Sequence, residues 1–353
     1  MSNFDFEKNL ASPQWLTDVL AGNGFLTAGK VVLVDQQATL TDCTVVSRFY
    51  ALKVYYSSDS SGRMPSDILM KLTEPGFHKM GQKEADFYRL VKDHGSVLPL
   101  ATCFGCEFSP QGDRCVLLLD DLRQSHCGPS TPWPQPPPEE QCNEAIAALA
   151  KVHAHWWNHD ARAEPGFEQP ELWSKAWVQR AEGLFRQFVD SVASPLLDDH
   201  QSTYELVFEM LPDALLRRLG SSNQRTLIHG DAHFWNFLYP RSGGREGCII
   251  IDWQLCKFGL GGFDLSYMIA LHWYPEHRQS LERLLLRYYQ TQMHRNNVEC
   301  EWNDLWDDYR LAVAFNLLYP VLLQSKGVPS VIWQPHLERG FAAFEDLDCR
   351  ELL

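Results

Sequence analysis

The sequence predicts a two-lobed α+β protein in which a β-rich first lobe precedes a mostly helical second lobe. Between Lys30 and Leu72, runs of β-branched and aromatic residues alternate with polar turns, which is typical of an antiparallel sheet. From Glu139 onward, apolar residues recur at helical spacing. Between these regions, the proline-rich segment 128–138 can form neither a helix nor an inner strand. We therefore expect a first lobe over residues 1–122 and a second lobe over residues 123–353.

The composition is that of an ordinary globular protein, and it excludes several functions. The 353 residues, 45% hydrophobic and 22% charged, suffice for one large or two modest domains. A net charge of −14 argues against a nucleic-acid partner, because such proteins present a basic face to the phosphate backbone. No stretch approaches the roughly 18 apolar residues that span a membrane. The N-terminus has no signal-peptide pattern and the ten cysteines are scattered, so we expect free thiols and a cytoplasmic protein.

The first lobe is predicted to be an antiparallel meander followed by a helix and a hairpin. Its third strand carries Lys71 among apolar neighbours, where an unpaired ammonium group would be costly. Glu84 lies in the first turns of the following helix and can reach back to pair with Lys71. The predicted strands are 31–34, 44–56, 66–72, 98–108 and 114–119, and the predicted helix is 82–92.

The second lobe is predicted to be built from helices with two short strands. Its first helix, 139–159, has Ile146, Leu149 and Val152 on one face. Further helices are predicted at 170–192, 194–219, 264–273, 276–294, 302–324 and 335–347, and strands at 236–239 and 248–252.

The residues best suited to chemistry lie in the segment 226–254. Asp231 and Asn236 belong to a short polar loop, and Asp252 ends an apolar run. The glycine-rich turn 241–247 between them can close a hairpin. Because a hairpin brings its outer ends together, we expect the three side chains to share one acidic site. Two carboxylates and an amide are oxygen ligands that suit Mg²⁺.

Together with Lys71 and Glu84, these side chains match the needs of phosphoryl transfer. A strand lysine neutralises nucleotide phosphates, and a helix glutamate holds that lysine. A loop aspartate, ionised at pH 7, orients the acceptor hydroxyl and takes its proton. An asparagine five residues later and an aspartate on the next hairpin hold Mg²⁺. The pattern indicates an enzyme that transfers a phosphoryl group from a nucleotide.

The segment His229-Gly-Asp-Ala-His-Phe-Trp-Asn236, followed by Ile250-Ile-Asp-Trp-Gln254, resembles the aminoglycoside phosphotransferase/choline kinase superfamily. That superfamily has the bilobal protein-kinase-like fold. The resemblance implies that Asp231 is the catalytic base and that Asn236 acts beside it. It also implies that Asn236 and Asp252 bind Mg²⁺, with ATP as the phosphoryl donor.

The same resemblance implies roles outside the catalytic segment. Lys71 and Glu84 match the nucleotide-binding pair, and the carboxylate of Asp264 would brace the catalytic loop. The hinge that receives the adenine would run from Asp120 to Leu122. No glycine-rich loop stands at 35–44, so hydroxyl and backbone N–H groups there would contact phosphate; the candidates are Thr39, Thr41 and Thr44.

Finer details resemble the ecdysteroid kinase-like branch of this superfamily. They are the segments Leu117–Leu122, Leu149–Trp157 and Ile251–Gln254. Only eleven residues separate Asp252 from Asp264, so the peptide-docking segment of protein kinases is missing. We therefore expect the acceptor to be a small-molecule alcohol that is bulky or apolar, and not a protein. Candidate pocket residues are Trp235, the helix around His153–Trp157, His272, Trp273, Tyr274 and the late helix Trp302–Tyr319.

Three other interpretations stay open at this point. A choline- or aminoglycoside-type kinase would bind a cation, through an aromatic cage or through acidic residues such as Glu301, Asp304, Asp307 and Asp308. A metal-dependent hydrolase would bind Zn²⁺ or Mn²⁺ through His229, Asp231 and His233, but would leave Lys71 and Glu84 unexplained. A kinase-shaped binding module without catalysis is the third.

Overall fold

The computed structural model describes residues 10–39, 46–92, 98–133, 135–160, 164–167, 170–192, 195–221, 224–241 and 247–353. The contacts divide the chain into two compact units. The first unit comprises Met1–Cys127, Pro240–Glu246 and Ile251–Leu255, and the second comprises Gly128–Tyr239, Gly247–Ile250 and Cys256–Leu353. Asp252 therefore belongs to the first unit, although it follows the loop 229–236 of the second unit in sequence. Thr41 and Thr44 lie outside the described residues.

The first unit is rich in strands, as its sequence predicts. Its described elements are α1 Pro13–Gly22, β1 Leu26–Ala28, β2 Val31–Thr39, β3 Ser47–Tyr56, β4 Ser61–Gly62, β5 Asp67–Thr73, α2 His78–Leu90, β6 Cys103–Phe108, β7 Cys115–Asp120 and β8 His126–Cys127. Five strands form an antiparallel sheet in the order β2-β3-β5-β7-β6, so β5 is the central strand.

The first helix covers one face of this sheet. Pro13 occupies its first position and the Ser12 hydroxyl accepts a hydrogen bond from the Trp15 N–H, which caps the helix. Leu16 and Leu20 of α1 are fully buried in one apolar cluster with residues of the central strands. Burial of this kind contributes roughly 25 cal/mol per Å² of apolar surface, so this cluster makes a large contribution to the stability of the sheet.

The second unit is mostly helical. Its described elements are α3 Glu139–His155, α4 Pro170–Ser191, α5 Pro195–Ser221, β9 Thr226–Ile228, β10 Phe237–Pro240, β11 Ile249–Ile250, β12 Lys257–Gly259, α6 Gly262–Ser266, a π-helical turn Tyr267–Leu271, α7 Pro275–Arg295, α8 Trp302–Asn316, α9 Leu318–Ser325, α10 Ser330–Asp346 and a final 3₁₀ turn Cys349–Leu352. β10 pairs with β11, as the predicted hairpin requires, and β9 pairs with β12.

The predicted helix 302–324 is in fact two helices. α8 ends at Asn316 and α9 begins at Leu318. Pro320 explains the break, because its nitrogen has no proton to donate to Asn316 and its ring would clash with that carbonyl. The last helix begins at Ser330, five residues before the predicted start at Pro335.

Two general expectations can be compared with the described residues. The nine cysteines that the structure describes are all free thiols. In the described part of the chain, no helix is both long enough and apolar enough to cross a membrane.

Candidate active site

Lys71 lies at the centre of the sheet in the first unit. It is paired with Phe49 on β3 and with Leu117 on β7, and only 4% of it is exposed. Its Nζ lies 2.6 Å from Glu84 Oε2 and 2.6 Å from Asp252 Oδ1. One buried ammonium group therefore bridges two carboxylates. We call Lys71, Glu84 and Asp252 the lysine cluster.

The charges in the lysine cluster depend on one another. Burial acts to lower the pKa of Lys71, but the carboxylates of Glu84 and Asp252 outweigh it and raise that pKa. Burial raises the pKa of Glu84 against the attraction of Lys71, and the charge of Asp252 raises it further. Lys71 therefore stays protonated, while two carboxylates compete for its single positive charge.

Helix α2 positions both carboxylates of this cluster. It carries Glu84 directly, and one turn later it carries Phe87. The buried indole of Trp253 stacks on the Phe87 ring, with centroids 4.1 Å apart and planes 5° from parallel. Gln254 Nε2 donates a hydrogen bond to Asp252 Oδ2 at 3.2 Å. The segment that carries Asp252 is therefore packed against the helix that carries Glu84.

The backbone at Asp252 adopts an unusual conformation. Its φ is +67°, in the left-handed region. A non-glycine residue adopts this region at a cost of roughly 1 kcal/mol, and aspartate tolerates it better than most. Strained backbone of this kind is concentrated at functional sites.

The predicted hinge residues lie at the end of the central sheet. Asp120 is the last residue of β7 and pairs with Ile68, and its N–H donates to the Thr102 carbonyl at 2.9 Å. Leu122 begins a 3₁₀ turn that Asp121 caps by accepting from the Arg123 N–H. Adenine binding by Asp120 and Leu122, and phosphate binding by Thr41, stay predictions.

In the second unit, Asp264 braces the loop that contains Asp231. Asp264 Oδ2 accepts a hydrogen bond from the His229 N–H at 2.6 Å, and Oδ1 accepts one from the Gly230 N–H at 2.8 Å. Gly230 has a φ of +79°, which glycine adopts without strain. Asp264 is 1% exposed, so this contact is entirely internal. It is the bracing contact that the family resemblance implies.

His153 holds Asp264 from the other side. Its Nε2 lies 3.1 Å from Asp264 Oδ2, and its Nδ1 lies 2.8 Å from the Tyr289 hydroxyl. Because the carboxylate can only accept, Nε2 carries the proton. Burial acts to raise the pKa of Asp264, but the hydrogen bond and charge of His153, assisted by His229 and the Gly230 N–H, lower it. Asp264 is therefore ionised at neutral pH.

Close packing between two helices fixes the position of Asp264. A Cβ atom on Gly262, at the start of α6, would lie 2.7 Å from the Asp308 carbonyl carbon and 2.8 Å from the Tyr309 nitrogen of α8. No side chain fits there without moving the backbone. Because Asp264 follows two residues later, the contact between α6 and α8 determines where its carboxylate lies.

Asp231 and Asn236 lie side by side on the braced loop. Asn236 Nδ2 donates to the Asp231 carbonyl at 2.9 Å and reaches Asp231 Oδ2 at 3.3 Å. The His233 N–H also donates to the Asp231 carbonyl, at 2.8 Å. The Asp231 side chain is 18% exposed, unlike that of Asp264. The loop thus presents a partly accessible carboxylate on a fixed backbone.

A row of three aromatic rings begins beside Asp231 within the second unit. The hydroxyl of Tyr267 hydrogen-bonds to Asp231, and burial together with that negative charge raises the pKa of Tyr267 well above its usual value. The ring of Tyr319 lies 5.1 Å from Tyr267, and the ring of Trp177 lies 5.8 Å from Tyr319. All three are partly exposed. We call Tyr267, Tyr319 and Trp177 the aromatic wall.

A second group of rings lies on the other side of Tyr267. The His272 ring lies 4.8 Å from Tyr267, 5.5 Å from His233, 6.2 Å from Trp235 and 4.9 Å from His336. We call His233, Trp235, His272 and His336 the histidine cluster. Its His233 Nε2 lies 3.8 Å from Asp231 Oδ2, so the cluster adjoins the predicted base.

Sequence reasoning identified some of these residues and missed others. Trp235, His272 and Tyr319 were among the candidate pocket residues, but Tyr267, His336 and Trp177 were not. Tyr267 could have been found, because it follows Asp264 by three residues on a predicted helix and so lies near the same face. His336 and Trp177 come from distant helices and carry no local signal.

Several other candidate pocket residues are engaged elsewhere. Arg287 and Arg283 lie over the rings of Trp302 and Trp306, at 3.5 and 4.2 Å. Three of the four acidic residues that could bind a polyamine also have internal partners. Asp308 accepts from Arg218 at 2.6 Å, Asp304 accepts from Gln224 at 2.8 Å, and Asp307 lies 3.5 Å from Arg310.

The hydrolase interpretation finds no geometric support. Among the residues that the structure describes, no group of three or more His, Cys, Asp or Glu side chains could hold a metal ion. His229 Nδ1 instead accepts a hydrogen bond from the Asp231 N–H at 3.2 Å. His229 therefore orders the loop.

Comparison with known proteins shows which family has this arrangement. Residues 45–298 match the phosphotransferase enzyme family. The fold is similar to LicA, a choline kinase from Streptococcus pneumoniae, with a TM-score of 0.53, 14% identity, and coverage of 94% of this chain and 98% of that chain. It is also similar to the aminoglycoside phosphotransferase APH(2″)-IIIa in complex with GDP and kanamycin, with a TM-score of 0.55, 13% identity, and coverage of 96% and 99%.

A third similar structure is a macrolide 2′-phosphotransferase of type I, with a TM-score of 0.51, 15% identity, and coverage of 98% of each chain. At these identities the likeness establishes the fold alone, and it confirms the predicted α+β class with a β-rich first part and a helical second part. No protein of the curated set matches the sequence. The ecdysteroid kinase-like branch stays a prediction.

Proposed function

Because the chain belongs to the phosphotransferase enzyme family, we propose that it transfers the γ-phosphoryl group of ATP to a hydroxyl group of a small, bulky or apolar alcohol. The observation that carries this proposal is the loop of the second unit. It holds Asp231 partly exposed, with Asn236 beside it and with the buried Asp264 fixing the backbone behind it. A carboxylate so placed is suited to orient a hydroxyl group and to take its proton.

The lysine cluster supports a role in nucleotide binding. Lys71 is protonated and is held by two carboxylates, so its charge can be redirected towards nucleotide phosphates. We assign Lys71 to phosphate binding and Glu84 to holding Lys71. The solved relatives support a purine nucleotide, since one is a complex with GDP and another, LicA, is a complex with AMP.

We assign Mg²⁺ binding to Asn236 and Asp252. The donor atoms fit that ion, because both side chains offer oxygen and neither offers a soft ligand. Asn236 uses its Nδ2 towards Asp231, which leaves Oδ1 for a cation. Mg²⁺ is usually held by one or two protein oxygens together with water and substrate phosphates. When bound, it would neutralise charge on the transferring phosphoryl group.

The aromatic wall supports a bulky, uncharged acceptor over a cation. An aromatic cage for a quaternary ammonium group needs open ring faces. Here Lys257 Nζ already lies 5.7 Å from the Trp177 ring centroid. A choline- or aminoglycoside-type acceptor is the second candidate. The names of the solved relatives favour it, but two of the acidic residues it would use, Asp308 and Asp307, pair with Arg218 and Arg310.

The proposal is tested by a Mg·ATP phosphorylation screen over neutral and cationic alcohols, with the products detected by mass spectrometry. The wild-type protein should phosphorylate a neutral alcohol. Asp231→Asn should lower kcat by about 10²- to 10⁴-fold because the base is lost, while the melting temperature stays unchanged. Asp213→Asn, which changes an exposed carboxylate on α5, is the matched control. Near wild-type turnover by Asp231→Asn would rule out Asp231 as the base.

A further inference from the structure

Two cysteines of the first unit form a close pair that the proposed function does not use. Cys106 lies on β6 and Cys115 lies on β7, and their Sγ atoms are 3.9 Å apart. Cys106 pairs with Leu117 in the sheet, and Cys115 is two residues from Leu117 on the same strand. Both sulfurs therefore lie on one face of the sheet, as diagonal neighbours. We call Cys106 and Cys115 the thiol pair.

The thiol pair lies on the same face of the sheet as Lys71. Leu117 pairs with Lys71 on β5 and with Cys106 on β6, so these three residues occupy one row across the strands. Side chains in one such row point to the same side of a sheet. The thiol pair is therefore on the side of the sheet that carries the lysine cluster.

Helix α2, which carries Glu84, packs directly on both cysteines. A Cβ atom on Gly81 would lie 2.9 Å from Cys115 Cβ, a separation shorter than such atoms adopt. Near the other end of the helix, Arg89 Nη2 lies 3.9 Å from Cys106 Sγ. Glu84 follows Gly81 by three residues, so a displacement of Cys115 moves the turn of α2 that carries Glu84.

The two thiols differ in their access to solvent. Cys106 is partly exposed and lines a cavity of about 600 Å³, and the guanidinium group of Arg89 places a positive charge beside it. Cys115 is only 1% exposed. Its contact with Cys106, together with burial, raises the pKa of Cys115, so it stays a thiol at neutral pH. An oxidant that enters the cavity therefore reaches Cys106 first.

We propose that the thiol pair is an oxidation site, at which hydrogen peroxide converts Cys106 and Cys115 into a disulfide that displaces α2 and weakens nucleotide binding. The Cys106 sulfur attacks one oxygen of the peroxide, the O–O bond breaks, water leaves and Cys106 becomes a sulfenic acid. The Cys115 sulfur then attacks the Cys106 sulfur. The S–S bond forms, the S–O bond breaks, and a second water leaves with the Cys115 proton. Two electrons thus pass from the sulfurs to the peroxide.

Closing this disulfide requires the backbone to move. Bonded sulfurs are about 2.05 Å apart, whereas those of the thiol pair are 3.9 Å apart. Diagonal neighbours on adjacent strands lie about 7–8 Å apart, while Cα atoms joined by a disulfide lie within about 7 Å. The strands must therefore draw together at Cys115, where Gly81 leaves no free space. α2 moves in response, and the contact between Glu84 and Lys71 changes with it. The effect on nucleotide binding rests on the proposed function.

The test is peptide mapping of the full-length protein before and after treatment with hydrogen peroxide. Trypsin cleaves after lysine and arginine, which places Cys115 on peptide 115–123 and Cys106 on peptide 93–114. After the free thiols are blocked, the oxidised wild type should yield these two peptides joined by a disulfide, and dithiothreitol should separate them. A disulfide within peptide 93–114, a link to any other cysteine, or the absence of a disulfide would overturn the proposal.

Cys103 provides the matched control. It lines the same cavity as Cys106 and lies on the same tryptic peptide, but its Sγ donates to the Gly105 carbonyl at 3.4 Å. Residues three apart on a strand lie about 10 Å apart, which is too far for a disulfide between Cys103 and Cys106. Cys103→Ser should keep the linked peptides and Cys106→Ser should abolish them. The reverse result would assign the oxidation to Cys103 and contradict the proposal.

Nucleotide affinity is the second measurement. Titration calorimetry with Mg·ADP should show binding at least about tenfold weaker for the oxidised wild type than for the reduced protein, because a displaced Glu84 no longer holds Lys71 in place. Dithiothreitol should restore the affinity, and Cys106→Ser should keep it after peroxide treatment. A disulfide with unchanged affinity would refute the proposal and leave the kinase function intact. If the reduced protein does not bind Mg·ADP, the proposed function fails and the control of nucleotide binding fails with it, while the peptide map still reports the disulfide.

Discussion

The two units hold their key carboxylates in opposite ways. In the first unit, Glu84 and Asp252 are held by one charge, the ammonium group of Lys71. In the second unit, Asp264 is held by two backbone N–H groups and the imidazole of His153, which have fixed directions. In the function that we propose, the first arrangement exchanges partners when a nucleotide supplies phosphates. The second arrangement has no alternative partner, so its hydrogen bonds are either kept or lost. We call Lys71 with its two carboxylates the binding device, and Asp264 with its three hydrogen-bond donors the scaffold.

The scaffold should be the more fragile of the two. Asp264→Ala leaves the His229 N–H, the Gly230 N–H and His153 Nε2 without their acceptor in a buried site. We expect a loss of about 3–5 kcal/mol in the free energy of unfolding, as measured by urea denaturation. Asp307→Ala is the control, because its side chain is half exposed and its ion pair with Arg310 should contribute less than about 1 kcal/mol. Equal effects would mean that Asp264 does not brace the loop.

The same scaffold has a predictable pH dependence. The pKa of Asp264 is lowered in the folded protein. Its stabilising contribution is therefore fully present above the unfolded-state pKa of about 4 and is lost as the pH falls through the lower folded-state value. Acid denaturation of Asp264→Asn should consequently depend less steeply on pH below 4 than that of the wild type.

In the binding device, substitutions should change the stability of the protein and its affinity for nucleotide independently. Lys71→Met removes the positive charge between two carboxylates and should cost about 2–3 kcal/mol, less than Asp264→Ala, because Glu84 can take up a proton. Adding Glu84→Gln to Lys71→Met should restore part of that stability. Neither the single nor the double variant should regain the rise in melting temperature with Mg·ADP. Recovery of nucleotide binding by the double variant would exclude Lys71 from phosphate binding.

Asp252→Asn should affect binding with little effect on stability. Glu84 still holds Lys71 in that variant, and asparagine tolerates the left-handed backbone as well as aspartate does. We expect less than about 1 kcal/mol of lost stability. The Mg²⁺-dependent part of the nucleotide affinity should fall by about tenfold or more, as measured by titration calorimetry with and without Mg²⁺. An unchanged Mg²⁺ dependence would remove Asp252 from the metal site.

The smallest loss of stability is expected for the stacked rings of Phe87 and Trp253 in the first unit. Phe87→Leu removes the stacked ring over Trp253 but keeps an apolar side chain on α2. The lost aromatic contact should cost about 0.5–1.5 kcal/mol. If Asp252 depends on this stack for its position, the affinity for Mg·ADP should fall in parallel. A stability loss with unchanged affinity would show that Lys71 alone positions Asp252.

The sequence predicted the parts of this molecule that are encoded locally. Lys71 among apolar residues indicated a buried, paired lysine, and the glycine-rich turn indicated the β10–β11 pairing. The contact between Lys71 and Asp252 could not be predicted, because it joins residues 181 positions apart. The pairing of β9 with β12 was also missed, since three-residue strands carry almost no periodic signal. His336 reached the candidate site only through the packing of α10.

The close approach of α6 and α8 at Gly262 limits how this sequence can vary. The constraint is steric and lies at a residue that has no side chain and takes no part in chemistry. Alanine there would force the Asp308 backbone away and shift Asp264 with it. A change of one methyl group could thus disable the enzyme without altering any functional group. Variation at this position should therefore be interpreted as variation of the loop that carries Asp231.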